Sequence, residues 1–152
     1  MDNEEIIYND YLLIKKMVSP MPRKIRILSE LLGQWSESWR IVGVTEEALK
    51  VFSNYDYRCP SRIGVNRAHI NQDRSVTNTF LLSNDINFEE FWDYLKSNDV
   101  TVLSTSTENM TNIYSKIFEI DRNLGLFKSS GFKWKHNKKE VEFLKEIHNF
   151  KK

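Results

Sequence analysis

The feature that most constrains this chain is a repeated change in the spacing of its apolar residues. Three stretches carry them at three- and four-residue intervals: Ile25, Leu28, Leu31, Leu32 and Trp35; Phe88, Phe91, Trp92 and Leu95; and Val141, Leu144 and Ile147. That is the period of a helix with one buried face. Between them lie short β-rich runs at 39–44 and 100–103 that carry no helical stripe. Helices come first, and short strands then mix with helices without the regular alternation of a doubly wound sheet. The expected class is therefore α+β, with a small mixed or antiparallel sheet flanked by several helices. A chain of 152 residues is long enough to bury one continuous core. No repeat and no linker divides it, so a single domain over 1–152 is expected, with its first few residues disordered.

Local signals place the elements. Residues 4–18 read as a short helix or helix pair, and Ser19-Pro20-Met21-Pro22 then breaks the chain. Pro22 suits the first turn of a helix over 23–38. Arg23, Lys24 and Arg26 fall at the start of that helix, where its dipole favours acids. They either have a partner or are screened by solvent. Thr45-Glu46-Glu47 is a hydroxyl cap followed by acids, and Asn87-Phe88-Glu89-Glu90 is a capping box opening a helix over 87–97. Residues 62–70, interrupted by Gly64, and 78–82 read as strands, and Asn98-Asp99 as a turn. Residues 112–120 are helix or strand, 125–131 a loop, and 138–150 a closing helix.

Composition removes several classes of function. Cys59 is the only cysteine, which excludes an internal disulfide and a zinc site built on several thiolates. Lysine and arginine total 22 against 21 acids, so no global basic field draws in nucleic acid and any such binding is local. No apolar run is long enough to span a membrane, and Met1-Asp2-Asn3-Glu4-Glu5 lacks the basic start of a signal peptide. A free thiol and no targeting segment fit the cytoplasm.

Arg67 and His69 are two apart in a strand-like run, a spacing that points both side chains to one side. A guanidinium can hold a phosphate with paired donors, and a neutral imidazole can take a proton from water. The pair suits phosphodiester hydrolysis; the plainer reading of His69 is a hydrogen-bonded ring at a strand end. The segments Asn66-Arg67-Ala68-His69-Ile70 and Asn78-Thr79-Phe80-Leu81-Leu82-Ser83-Asn84, followed by Asn87 and Trp92, resemble the core of the ββα-metal nucleases, relatives of the HNH endonucleases. Asn66 and Ala68 stand where that family has Asp and Gly. The resemblance implies a metal-dependent endonuclease. His69 would be its general base and Arg67 its phosphate ligand, with Asn84 or Asn87 beside Mg²⁺ or another divalent cation. It also implies a restriction, mobile-element or phage-defence role.

A second feature lies toward the carboxyl end. Lys128, Lys133, Lys135, His136, Lys138 and Lys139 are interleaved with Phe127, Phe132 and Trp134, with no acid among them, and Phe132 and Trp134 alternate with Lys133 and Lys135 as in a strand. Lysines that neutralise phosphate beside rings that stack on bases suit a DNA or RNA surface. Alternatively the rings fill the core and the lysines solvate the other face. Arg58, Arg62 and Arg74 add positive charge around His69. Asp73 and Glu108 are weaker candidate metal ligands. The non-enzymatic alternative is a protein-interaction module in a multi-subunit complex or a homodimer, anchored by aromatics such as Trp39, Tyr55, Tyr57 and Trp134.

Overall fold

The computed structural model describes residues 1–128 and 135–150. The class is α+β, and the chain divides into two compact units: Met1–Ser38 with His69–Val100, and Trp39–Ala68 with Thr101–Lys152.

The first unit is helical. α1 (Asn3–Lys16) is opened by a capping box. The Asp2 carboxylate accepts from Glu5 N–H at 2.8 Å, and Glu5 accepts from Asp2 N–H at 2.9 Å. Helix thus begins at the third residue, where disorder was expected. α2 (Met21–Leu32) ends earlier than its apolar stripe suggests, at Gly33, and tight turns carry Trp35 into the core. Lys24 has a partner: its Nζ donates to the Lys15 carbonyl at 2.9 Å. A cation that is poorly placed for the start of α2 is well placed for the negative end of α1.

Residues 78–82 are not a strand; they lie within α4 (Arg74–Ser83). The buried positions are Thr77, Asn78, Leu81 and Leu82, while Thr79 and Phe80 are exposed. That is a helical face, where a strand would have placed Thr79 and Leu81 on one side. The Asn78 amide donates to the Ile25 carbonyl at 3.1 Å and to the Ser29 hydroxyl at 2.8 Å, tying α4 to α2. Packing here overrides the weak helix propensity of Val76, Thr77 and Thr79. α5 (Phe88–Asn98) carries the expected capping box at Asn87 and Glu90. Phe91, Trp92 and Leu95 meet Tyr11, Leu28, Trp35 and Leu81 in the core of this unit.

The second unit holds a four-stranded mixed sheet in the order β2-β3-β1-β4. Its strands are β1 (Arg40–Thr45), β2 (Val65–His69), β3 (Val100–Thr105) and β4 (Ile117–Glu119). β2 ends, and β3 begins, with a residue of the first unit. β1 and β4 run antiparallel with Val44 opposite Phe118. Gly43 is required in β1, because a Cβ there would sit 2.9 Å from Ile117 Cγ2 and 3.0 Å from Val102 Cγ1. α3 (Glu46–Ser53), α6 (Ser106–Thr111) and α7 (Lys138–Phe150) complete the described helices of this unit. Ala48, Leu49 and Phe52 of α3 and Leu144 of α7 pack with Ile41, Val44 and Leu103 of the sheet. No helix among the described residues is long and apolar enough to cross a membrane.

Candidate active site

In the first unit, His69, Arg74 and Asp99 converge. Asp99 is the residue that ends α5, and its N–H donates to the Leu95 carbonyl. A carboxylate at the negative end of a helix is unfavourable alone, so cations there are stabilising. His69 Nε2 lies 2.7 Å from Asp99 Oδ1, and Arg74 Nη1 lies 2.8 Å from Asp99 Oδ2. The side chain of Asp99 is 0% exposed, that of His69 6% and that of Arg74 9%. Arg74 Nη1 also lies 3.4 Å from the Ser38 hydroxyl. Burial pushes the Arg74 guanidinium below its ordinary pKa, and Asp99 opposes that shift. His69 Nε2 and Asp99 Oδ1 are joined by one hydrogen bond, whose donor is set by the tautomer of the ring. The sequence marks Asn98-Asp99 as a turn. An isolated Asp after a helix carries no sequence signal that distinguishes a buried counter-ion from a surface turn.

In the second unit, Arg67 has its guanidinium 5.5 Å from the centre of the half-exposed Trp39 ring. Arg67 and His69 do occupy alternate positions of one strand. Arg62 is exposed with a φ of 64°. Lys128, Lys135, Lys138 and Lys139 are exposed, while Phe127 between them is buried. Lys133 and Trp134 lie outside the described residues. Arg74, expected among the nucleic-acid contacts, is directed inward onto Asp99. Of the other aromatics, Tyr55 is exposed and Tyr57 is buried beneath His136 and His148. Burial pushes the Cys59 thiol up to about 11, so it is a poor nucleophile at neutral pH.

The residues implied as metal ligands both sit at helix ends. Asn87 Oδ1 accepts from Glu90 N–H at 2.9 Å as the cap of α5. The Asn84 amide donates to the Phe80 carbonyl at 2.8 Å at the end of α4. Among the described residues no three His, Cys, Asp or Glu side chains gather. Glu108 serves hydrogen bonds instead. It accepts from the Thr45 hydroxyl at 2.7 Å, Thr105 N–H at 3.0 Å, and Ser115 N–H and hydroxyl at 2.7 and 2.8 Å. Burial acts to raise its pKa, but these donors outweigh it and the net shift is downward. Thr45 and Thr105 each end a strand and cap the following helix, so one carboxylate joins the starts of α3 and α6.

No protein-family model matches this chain, and comparison with curated proteins and with solved structures likewise finds no match.

Proposed function

We propose that this chain acts on nucleic acid in the cytoplasm and hydrolyses phosphodiester bonds with His69 as general base. The observation that carries the reading is the 2.7 Å bond from His69 Nε2 to a buried carboxylate that is itself held by Arg74. A carboxylate behind an imidazole fixes its tautomer and stabilises the imidazolium formed when water gives up its proton. Arg67, which belongs to the second unit, is carried into this reading as a phosphate ligand from the residues alone. The exposed lysines at 128, 135, 138 and 139 supply the sequence-independent attraction to the backbone. In this reading a divalent cation would lower the pKa of attacking water and neutralise charge on the phosphate.

The test incubates the 152-residue chain with plasmid DNA and with RNA, with Mg²⁺ or Mn²⁺ and with chelator. His69→Gln can still donate to Asp99 but has no basic nitrogen, so it separates chemistry from folding. Its cleavage should fall by about 100-fold or more, while its melting temperature stays near that of the parent. Cleavage unchanged in His69→Gln, or no cleavage of either polymer under any condition, overturns the assignment.

A further inference from the structure

β4 lies at one edge of the sheet. Its register against β1, with the bonds from Glu46 N–H to the Lys116 carbonyl and from Ile120 N–H to the Val42 carbonyl, turns the main chain of residues 116, 118 and 120 toward β1. By strand alternation, the N–H and C=O groups of Ile117 and Glu119 point away from the sheet, where a further strand would pair. Beside this edge, between β4 and α7, is a groove of about 500 Å³. Its apolar wall comes from Ile117, Ile147 and Phe150, the first 37% and the last 92% exposed. Glu119 and Glu146 also line it and form no ion pair among the described residues. Lys116, the one cation lining it among the described residues, has its ammonium over the Phe118 ring at 5.3 Å.

We propose that this groove binds an extended peptide segment, added to β4 as an extra strand, in which basic side chains alternate with apolar ones. Strand addition supplies main-chain hydrogen bonds, and the alternation of a strand lets one set of side chains meet Ile117, Ile147 and Phe150 while the residues between them reach the exposed carboxylates of Glu119 and Glu146. These two carboxylates, in no ion pair among the described residues, select basic residues in the occupant and disfavour a nucleic-acid backbone. This surface is independent of His69 and of the hydrolytic reading.

The test titrates the 152-residue chain into a fluorescein-labelled peptide of alternating valine and lysine and follows anisotropy. A valine–glutamate peptide serves as comparator. The lysine peptide should bind saturably and at least about tenfold more tightly than the glutamate peptide, with the difference shrinking in high salt. Glu119→Lys and Glu146→Lys should each weaken it several-fold. Ile117→Pro removes an outward N–H and leaves the bonds to β1 in place, so it should weaken binding without lowering the melting temperature. If that variant is unstable, a lysine peptide N-methylated at alternate residues makes the same test from the other side. Equal binding of the two peptides, no saturable binding, or full binding by both Ile117→Pro and the N-methylated peptide overturns the proposal. A concentration-dependent dimer abolished by Ile117→Pro also overturns it, because the edge would then belong to a second copy.

Discussion

Replacing Asp99 by alanine removes a carboxylate with no exposed side-chain surface and leaves the Arg74 guanidinium buried without its counter-ion. The carboxylate takes part in two short bonds, 2.7 Å to His69 and 2.8 Å to Arg74. At about 1.5–3 kcal/mol for each hydrogen bond to a charged group, the two amount to about 3–6 kcal/mol. Breaking a buried ion pair from one side costs about 3–5 kcal/mol by mutational precedent, so the two routes agree near 4. The penalty is aggravated because Arg74 Nε and Nη2 already lack hydrogen-bond partners among the described residues. A loss of about 4 kcal/mol is a large fraction of the about 5–15 kcal/mol that holds a domain of this size. It corresponds to a fall in Tm of about 8–16 °C. Urea denaturation followed by circular dichroism measures it. The reasoning also requires that removing both charges, as Arg74→Met with Asp99→Leu, be less damaging than removing Asp99 alone. A single-variant loss under about 1 kcal/mol, or a double variant whose loss equals the sum of the two singles, would refute a buried pair that matters.

Glu108→Gln should lower stability, because one amide oxygen and one NH₂ cannot accept the bonds now made by Thr45, Thr105 and Ser115. The folded pKa of Glu108 is depressed, so its contribution is fully present above the unfolded value of about 4.3 and is lost as pH falls through the folded value. Urea midpoints measured across that range should converge for parent and variant at the acid end, and parallel curves would contradict the linkage. Gly43→Ala should cost about 1–3 kcal/mol by overpacking against Ile117 and Val102, read as a lower urea midpoint. Neutralising Lys138 and Lys139 together should flatten the dependence of log K on log salt for DNA binding by about two units if both touch phosphate. An unchanged slope places the contact elsewhere.

Much of the local structure was legible in the residues. The caps at Thr45 and Asn87 start α3 and α5 where the hydroxyl and amide patterns put them, and α7 spans the residues its apolar stripe marks. These signals act within one helical turn, between groups the chain itself keeps close. α4 was illegible for the opposite reason. Val76, Thr77 and Thr79 favour a strand, and the helix is held by Asn78 reaching Ile25 and Ser29 of α2. With α4 helical, the resemblance loses its second strand at 78–82, and Asn84 and Asn87 become helix-end residues.

For the candidate site, the sequence by itself singled out His69 and placed it on a strand with Arg67 two residues before it. Its carboxylate partner was hidden, because Asp99 lies 30 residues further along and turns inward only where α5 ends. Periodicity and capping depend on neighbours along the chain, so the amino-acid order determined the α+β class and most helices. Which buried charge faces which ring, and whether a β-branched run coils or extends, depends on distant groups excluding water together, and the tertiary structure alone decided it.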